Sequence, residues 1–417
     1  VKSADTNVTI SSSSTSKTIT NTPVRIAVRV TKKDANTGDV LSGAVFGLYA
    51  GENIYTYDGS TLLWAKDALI GQGTSGTNGQ ALYNDFDWLP PTSVNRTTGY
   101  KYYVKEITPP DGYLASDYVY EFTASTTAVS GTADITYTAE FSDTPFVPVR
   151  IRKTTASGYS DWITNNSCYS LAGAQFVVYD NQSYANANTV AQRVKFDVVD
   201  ASGNVTSSNQ TILTVASNGY TPYIRLEPGK QYWIREIAAG TGYVLPSNPV
   251  TAITVGTTSP QEFTISNTPG SDPTALVLYK SNKSGTNNKP LAGAIFSIEY
   301  FSGYYDSESA ARAASGITHR TWYVTTKVGT GNNAGKYVAI LDSSYLVTSG
   351  TYKTTDALFK DGSNVVLPYG TLIIKEVQAA PEYFNDANFG IYNSSTASFT
   401  QTGRDVFVVQ ERPDGAS

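Results

Sequence analysis

Leu41-Ser42-Gly43-Ala44-Val45-Phe46-Gly47-Leu48-Tyr49 decides how this chain is read, because it returns twice. The second copy is Leu171-Ala172-Gly173-Ala174-Gln175-Phe176-Val177-Val178-Tyr179. The third is Leu291-Ala292-Gly293-Ala294-Ile295-Phe296-Ser297-Ile298-Glu299-Tyr300. All three read Leu-x-Gly-Ala-x-Phe and run on into a stretch of strand character. Gly43 and Ala44 are expected to let backbones approach closely, and Phe46 to fill a core. Upstream of each copy lies a strand that ends on Lys: Lys32, Lys153 and Lys280. The first of these, Val24-Arg25-Ile26-Ala27-Val28-Arg29-Val30, alternates with period two, so Val28, Val30 and Lys32 share one face.

Two further blocks follow in the same order. Tyr102-Tyr103-Val104-Lys105-Glu106 matches Tyr232-Trp233-Ile234-Arg235-Glu236 and Leu372-Ile373-Ile374-Lys375-Glu376. A Tyr stands seven residues after each Glu, at Tyr113, Tyr243 and Tyr383, and reads as a packing and turn residue. The last block is Phe141-Ser142-Asp143-Thr144-Pro145 and Ile265-Ser266-Asn267-Thr268-Pro269, with Val409-Gln410-Glu411-Arg412-Pro413 at the third place. Ordered blocks at similar spacing mean tandem domains. The expected division is a Ser/Thr-rich strand or linker at 1–22, then domains at 23–147, 148–270 and 271–417, the last with an insertion.

Composition agrees with an all-β chain. Its 417 residues include 34 Gly, 18 Pro and 30 Tyr, and turn-forming clusters separate the short alternating runs. One short helix is expected at Ser307–Ala314, inside the aromatic-rich insertion that holds Tyr304, Tyr305, Trp322 and Tyr323. That insertion reads as packing under a long loop, with a binding patch as the alternative. A net charge of −5 offers no footprint for nucleic acid. No apolar run approaches the roughly 18 residues of a membrane span. Cys168 and His319 are alone in their types, which excludes a disulfide framework and leaves little for nucleophilic or metal chemistry. Asp34-Ala35-Asn36-Thr37-Gly38-Asp39 loosely resembles a calcium loop but reads as a hairpin turn. No metal or cofactor is expected. The absence of Met is expected of a processed or cut piece.

These blocks resemble tandem Cna-B-type domains, the immunoglobulin-like sandwiches of Gram-positive surface adhesin stalks and pilins. The resemblance covers roughly residues 24 to 413 and implies three β-sandwiches in an elongated array. It also implies an autocatalytic isopeptide bond, in which the first strand's Lys attacks an Asn or Asp on the last strand. It would link Lys32 to Asp143 with Glu106 assisting, and Lys153 to Asn267 with Glu236 assisting. The chemistry suits those residue types. Burial lowers a lysine pKa and frees the nucleophilic amine, and it raises a glutamate pKa so that the acid can shuttle protons. Each glutamate would act once, so no turnover enzyme is expected. The third domain keeps Lys280 and Glu376 but has Glu411 at the acceptor place, one methylene longer, with Gln410 and Asp405 nearby.

The ends carry two more signals. Thr18-Ile19-Thr20-Asn21-Thr22-Pro23 copies the acceptor block, so Asn21 reads as an orphan acceptor on the last strand of a preceding domain. A flexible linker is the plain alternative, and a strand given to the third domain of a neighbouring copy is the sharper one. Leu367-Pro368-Tyr369-Gly370-Thr371 superficially resembles a sortase sorting signal with two residues reversed, and is expected to be a turn. The resemblance implies a secreted protein of the bacterial cell surface, joined to the cell wall through sortase in its parent. Its implied partners are other pilin subunits or host matrix and glycans. The alternatives are a ligand-binding adhesin with its site on the third domain, and an accessory module of a secreted carbohydrate-active enzyme.

Overall fold

The computed structural model describes residues 25–83, 89–94, 96–125, 134–258, 260–273, 276–282, 291–383, 388–393, 398–404, 407–413 and 415–416. Asn21, Asp405 and the whole of 1–22 lie outside the described residues. Strands dominate, and helices are few and short.

In the first repeat, strand Arg25–Asp34 runs antiparallel to Gln80–Tyr83 on one side and parallel to Asp134–Asp143 on the other. That parallel pair joins the first strand of the repeat to its last. A second sheet orders Leu69–Thr74, Val45–Ala50, Lys101–Thr108 and Val119–Thr123. Alternation along the first strand puts Ile26, Val28, Val30 and Lys32 on one face, and all four are buried. This face meets Phe46, Leu48 and Val104 of the other sheet in a single core, which makes the repeat a two-layer sandwich.

The second repeat follows the same plan. Val147–Thr155 runs parallel to Gln261–Asn267, and its facing sheet orders Leu213–Thr214, Gln175–Tyr179, Gln231–Ala238 and Val250–Thr254. Val149, Ile151, Phe176 and Ile234 share the core.

The third repeat departs from it. Ser271–Pro273 pairs with Asn364–Pro368, and Val277–Tyr279, the strand that leads to Lys280, pairs with Tyr337–Ile340. Ile295–Phe301 lies between His319–Thr325 and Gly370–Gln378, and Phe407–Arg412 pairs with the far side of Gly370–Gln378. That position beside the Glu strand belongs to Val119–Thr123 in the first repeat and to Val250–Thr254 in the second. The strand that aligns in sequence with the acceptor strands is therefore paired as the strand before them.

Three local expectations change. The glycines of the Leu-x-Gly-Ala-x-Phe block, Gly43, Gly173 and Gly293, hold φ of +91°, +88° and +81°. A Cβ on Gly43 or Gly173 would meet nothing within 4 Å, so glycine is needed there for its left-handed turn, not for close approach. Leu367–Thr371 is not a turn. It joins the end of strand Asn364–Pro368 to the start of Gly370–Gln378, with Tyr369 buried between them. The expected helix spans Glu308–Ala313 with Ser307 as its cap, and the second repeat adds helices Ser160–Ile163 and Gln182–Ala187.

The first of those added helices leaves its own repeat. Trp162 is buried in a cluster with Phe296, Tyr300, Trp322 and Phe359 of the third repeat. Asn166 Nδ2 donates to the Tyr300 hydroxyl at 2.9 Å and to Tyr369 O at 3.0 Å. Ser302 Oγ donates to Asn165 O at 2.6 Å, and Thr318 Oγ1 to Thr164 O at 2.8 Å.

Candidate functional site

Each of the first two repeats buries a Lys, a Glu and an Asp or Asn together. Lys32 is the last inward residue of its strand's apolar face, Glu106 comes from the facing sheet, and Asp143 ends the parallel last strand. Lys32 Nζ lies 2.8 Å from Glu106 Oε1 and also pairs with Asp143 Oδ1. The side chains of all three are essentially inaccessible to water. Burial pushes the Asp143 carboxyl up to about 6, against the pull of Lys32. The backbone N–H of Ser116 donates to Glu106 Oε2 at 2.9 Å and fixes the carboxylate.

In the second repeat Lys153 Nζ donates to Glu236 Oε2 at 3.0 Å and to Asn267 Oδ1 at 2.6 Å. Asn267 Nδ2 donates in turn to Glu236 Oε1 at 2.7 Å. The glutamate thus bridges the amine and the amide nitrogen. Burial lowers the Lys153 amine from its ordinary value and raises the Glu236 acid. Both shifts favour a neutral amine beside a protonated acid, because each charged form is stripped of water.

Register sets this geometry. Lys32 is opposite Phe141 and Lys153 opposite Ile265, so each amine reaches two residues along the neighbouring strand to its acceptor. The phenyl rings of Phe46 and Phe176 lie 5.9 Å and 5.3 Å from the Lys32 and Lys153 amines. Read from sequence as core filling, they also form the apolar wall of the site. Their repetition at a fixed place was the signal. Among the described residues no cluster of three or more His, Cys, Asp or Glu is placed to hold a metal, and no helix is long and apolar enough to cross a membrane.

The family model of the SpaA prealbumin-like fold domain matches residues 26–139 and 164–269, together more than half the chain. The chain belongs to this family. Membership agrees with the expected tandem Cna-B-type, pilin-like architecture. No curated protein matches the chain. Among solved structures it is similar to the Bacillus anthracis TIE protein, at 16% identity and a TM-score of 0.34, covering 91% of this chain and 48% of that one. The chain therefore spans about half the length of that protein. It is also similar to the shaft pilin SpaA of Lactobacillus rhamnosus GG, at 16% identity and a TM-score of 0.31, covering 59% and 98% of the two chains. A minor pilin of Streptococcus agalactiae follows at 15% identity and 0.29, covering 63% and 99%.

The third repeat of this SpaA-type chain assembles half of such a site. Lys280 Nζ pairs with Glu376 Oε2 at 2.8 Å, with the Lys side chain 19% exposed where Lys32 and Lys153 are fully buried. Glu411, aligned by sequence with the acceptors, lies in a different sheet from the Val277–Tyr279 strand that leads to Lys280, opposite Gly370 and beside Asp272. Gln410 is engaged elsewhere, donating to Tyr305 O and Asp306 Oδ1, each at 2.9 Å. The reason is strand exchange: pairing Phe407–Arg412 with the Glu strand carries both residues away from the first strand. His319 and Cys168 fall outside the sites. The His319 ring packs tilted against Phe301 with centroids 4.5 Å apart, and Cys168 is a buried free thiol.

The Asp272–Glu411 pair has its own consequence. Burial, then the hydrogen bond and charge of Asp272, push Glu411 from 4.5 up to about 7. A raised folded value means that the folded chain holds the extra proton. The stability this contributes is full below about 4.5 and is lost as pH rises through about 7. Glu411→Gln is expected to raise the melting temperature above neutrality and to leave it nearly unchanged in acid. Melting curves across that window check this, and equal gains at both ends would count against it.

Proposed function

We propose that the chain is a structural segment of a bacterial surface stalk or pilus, stiffened by isopeptide bonds Lys32–Asp143 and Lys153–Asn267. The observation that carries this reading is the bridging of amine and leaving nitrogen by one buried acid, Glu236. In the second repeat the neutral Lys153 Nζ attacks Asn267 Cγ, forming a C–N bond. Glu236, protonated, gives its proton to the departing amide nitrogen, which leaves as ammonia, and takes back one from the attacking amine. In the first repeat Lys32 Nζ attacks Cγ of the protonated Asp143 carboxyl, forming a C–N bond; Glu106, 2.8 Å from the amine, relays an amine proton to the departing hydroxyl, and the C–O bond breaks to release water. Packing supplies proximity and orientation in place of a cofactor.

Each bond would tie the first strand to the last, so that pulling force bypasses the hydrogen-bonded ladder. Each glutamate acts once, in cis, and the chain is not a turnover enzyme. A surface position, sortase-mediated attachment of the parent and contact with other pilin subunits complete the reading. Family membership supports it. The test is the intact mass of the purified chain. One water and one ammonia are expected to be missing, with Lys32–Asp143 and Lys153–Asn267 peptides recovered as joined pairs. A full, unmodified mass refutes the cross-links.

A further inference from the structure

We infer that Tyr113 and Tyr243 are positioning residues for the cross-link, each clamping the Lys strand and the acceptor strand together at the end where they react. The inference rests on the cross-linking reading above. Reaction takes place where both strands stop. Asp143 and Asn267 are the final residues of their strands, and the partner strands end at Asp34 and Thr155. Strand ends are where a ladder opens most readily. A diagonal reach from Lys to acceptor would not survive such opening, because small misplacement of reacting atoms costs much of the rate.

The Tyr seven residues after each Glu closes that end in both repeats. In the second, the Tyr243 hydroxyl lies 2.6 Å from Thr155 Oγ1, and Thr155 is the register partner of Asn267. The backbone of Tyr243 bridges to Pro269, two residues past the acceptor. Val244 N donates to Thr268 O at 3.0 Å, and Gly270 N to Gly242 O at 2.7 Å. In the first, the Tyr113 hydroxyl donates to Asp34 Oδ2 at 2.8 Å, and Asp34 is the register partner of Asp143. Tyr113 bridges to Pro145, Leu114 N donates to Thr144 O at 2.9 Å, and Phe146 N to Gly112 O at 2.9 Å.

The hydroxyl's partner is a carboxylate in one repeat and a hydroxyl in the other, yet the position is the same. What recurs is the place held, two residues beyond the reactive Lys, and not the chemistry of the partner. Burial, aided by the Asp34 carboxylate, pushes the Tyr113 phenol up to about 12, so it remains a donor. Neither Tyr belongs to the hydrophobic core clusters. In the third repeat, where the acceptor strand is exchanged, Tyr383 is 43% exposed instead.

The experiment follows ammonia loss over time by intact mass in freshly synthesised full-length chain. Tyr243→Phe and Thr155→Val are each expected to slow it roughly five- to tenfold, the worth of one hydrogen bond. The double variant should be no slower than either single one, because both remove the same bond. Water loss from the first repeat of the same molecules should keep its rate. Thr155→Ser keeps the hydroxyl and should react at nearly the wild-type rate. A packing role predicts the reverse order, with isosteric Val benign and Ser harmful. An unchanged rate in Tyr243→Phe, or that reversed order at Thr155, overturns the inference alone. A wild-type chain that never loses ammonia overturns the cross-linking reading and this inference with it.

Discussion

Glu236→Gln should retain the ammonia of the second repeat while the first repeat still loses its water. Gln preserves side-chain volume and can still hydrogen-bond within the site, but it cannot take a proton from the Lys153 amine. The carboxyl accepts from Lys153 Nζ at 3.0 Å and from Asn267 Nδ2 at 2.7 Å; Gln has one acceptor oxygen in place of two, so it keeps one of these contacts and moves no proton between the reactants. The lost bond spans 114 residues in sequence. By the loop-closure argument for a disulfide, its absence costs about 4–5 kcal/mol. For the second and third repeats unfolding together, that lowers the melting temperature by on the order of 10 °C. Intact mass and calorimetry read the two effects separately. A Glu236→Gln chain that still sheds ammonia would remove the acid from the mechanism. One that retains ammonia but melts with the wild type would remove the bond from the stability.

The residues of these two sites were legible because each sits in a block that repeats. Lys32 follows Val28 and Val30 on an alternating strand, so its inward direction could be read from period alone, and it is fully buried. Glu106 and Glu236 stood at one place in the second block, and Asp143 and Asn267 at one place in the last. Two things were not legible. The hydroxyls of Tyr113 and Tyr243 bond to Asp34 and Thr155, which share no residue type and so left no pattern to find. The third repeat misled for a different reason. Val409-Gln410-Glu411-Arg412-Pro413 resembles an acceptor block in its apolar start and closing Pro, but such likeness says nothing about which neighbour a strand pairs with. Pairing is decided by tertiary competition for an edge, and here the Glu strand takes it.

Trp162→Ala should weaken the third repeat, although Trp162 belongs by sequence to the second. Its indole is 2% exposed, in a cluster whose other fully buried members include Tyr300, Trp322 and Phe359. Removing a buried Trp costs about 3–5 kcal/mol, because a cavity is left as well as the lost transfer energy. The neighbouring polar contacts point the same way, since Asn166 reaches Tyr300 and Tyr369, and Tyr369 N donates to the Tyr169 hydroxyl at 2.8 Å. By contrast, the first two repeats share a two-pronged ion pair, Arg225 to Asp111 at 2.7 Å and 3.2 Å, whose Asp side chain is 79% exposed. Such a pair is worth about 0–1 kcal/mol. The second and third repeats should therefore unfold as one unit, with the first independent of them. Amide exchange in the full chain reads this directly. In Trp162→Ala, protection should fall across Ile295–Phe301 and Gly370–Gln378 and hold across Val45–Ala50. If protection falls only around residues 159–169, the helix merely rests on the third repeat. If it falls in the third repeat as well, part of that core is supplied by the repeat before it.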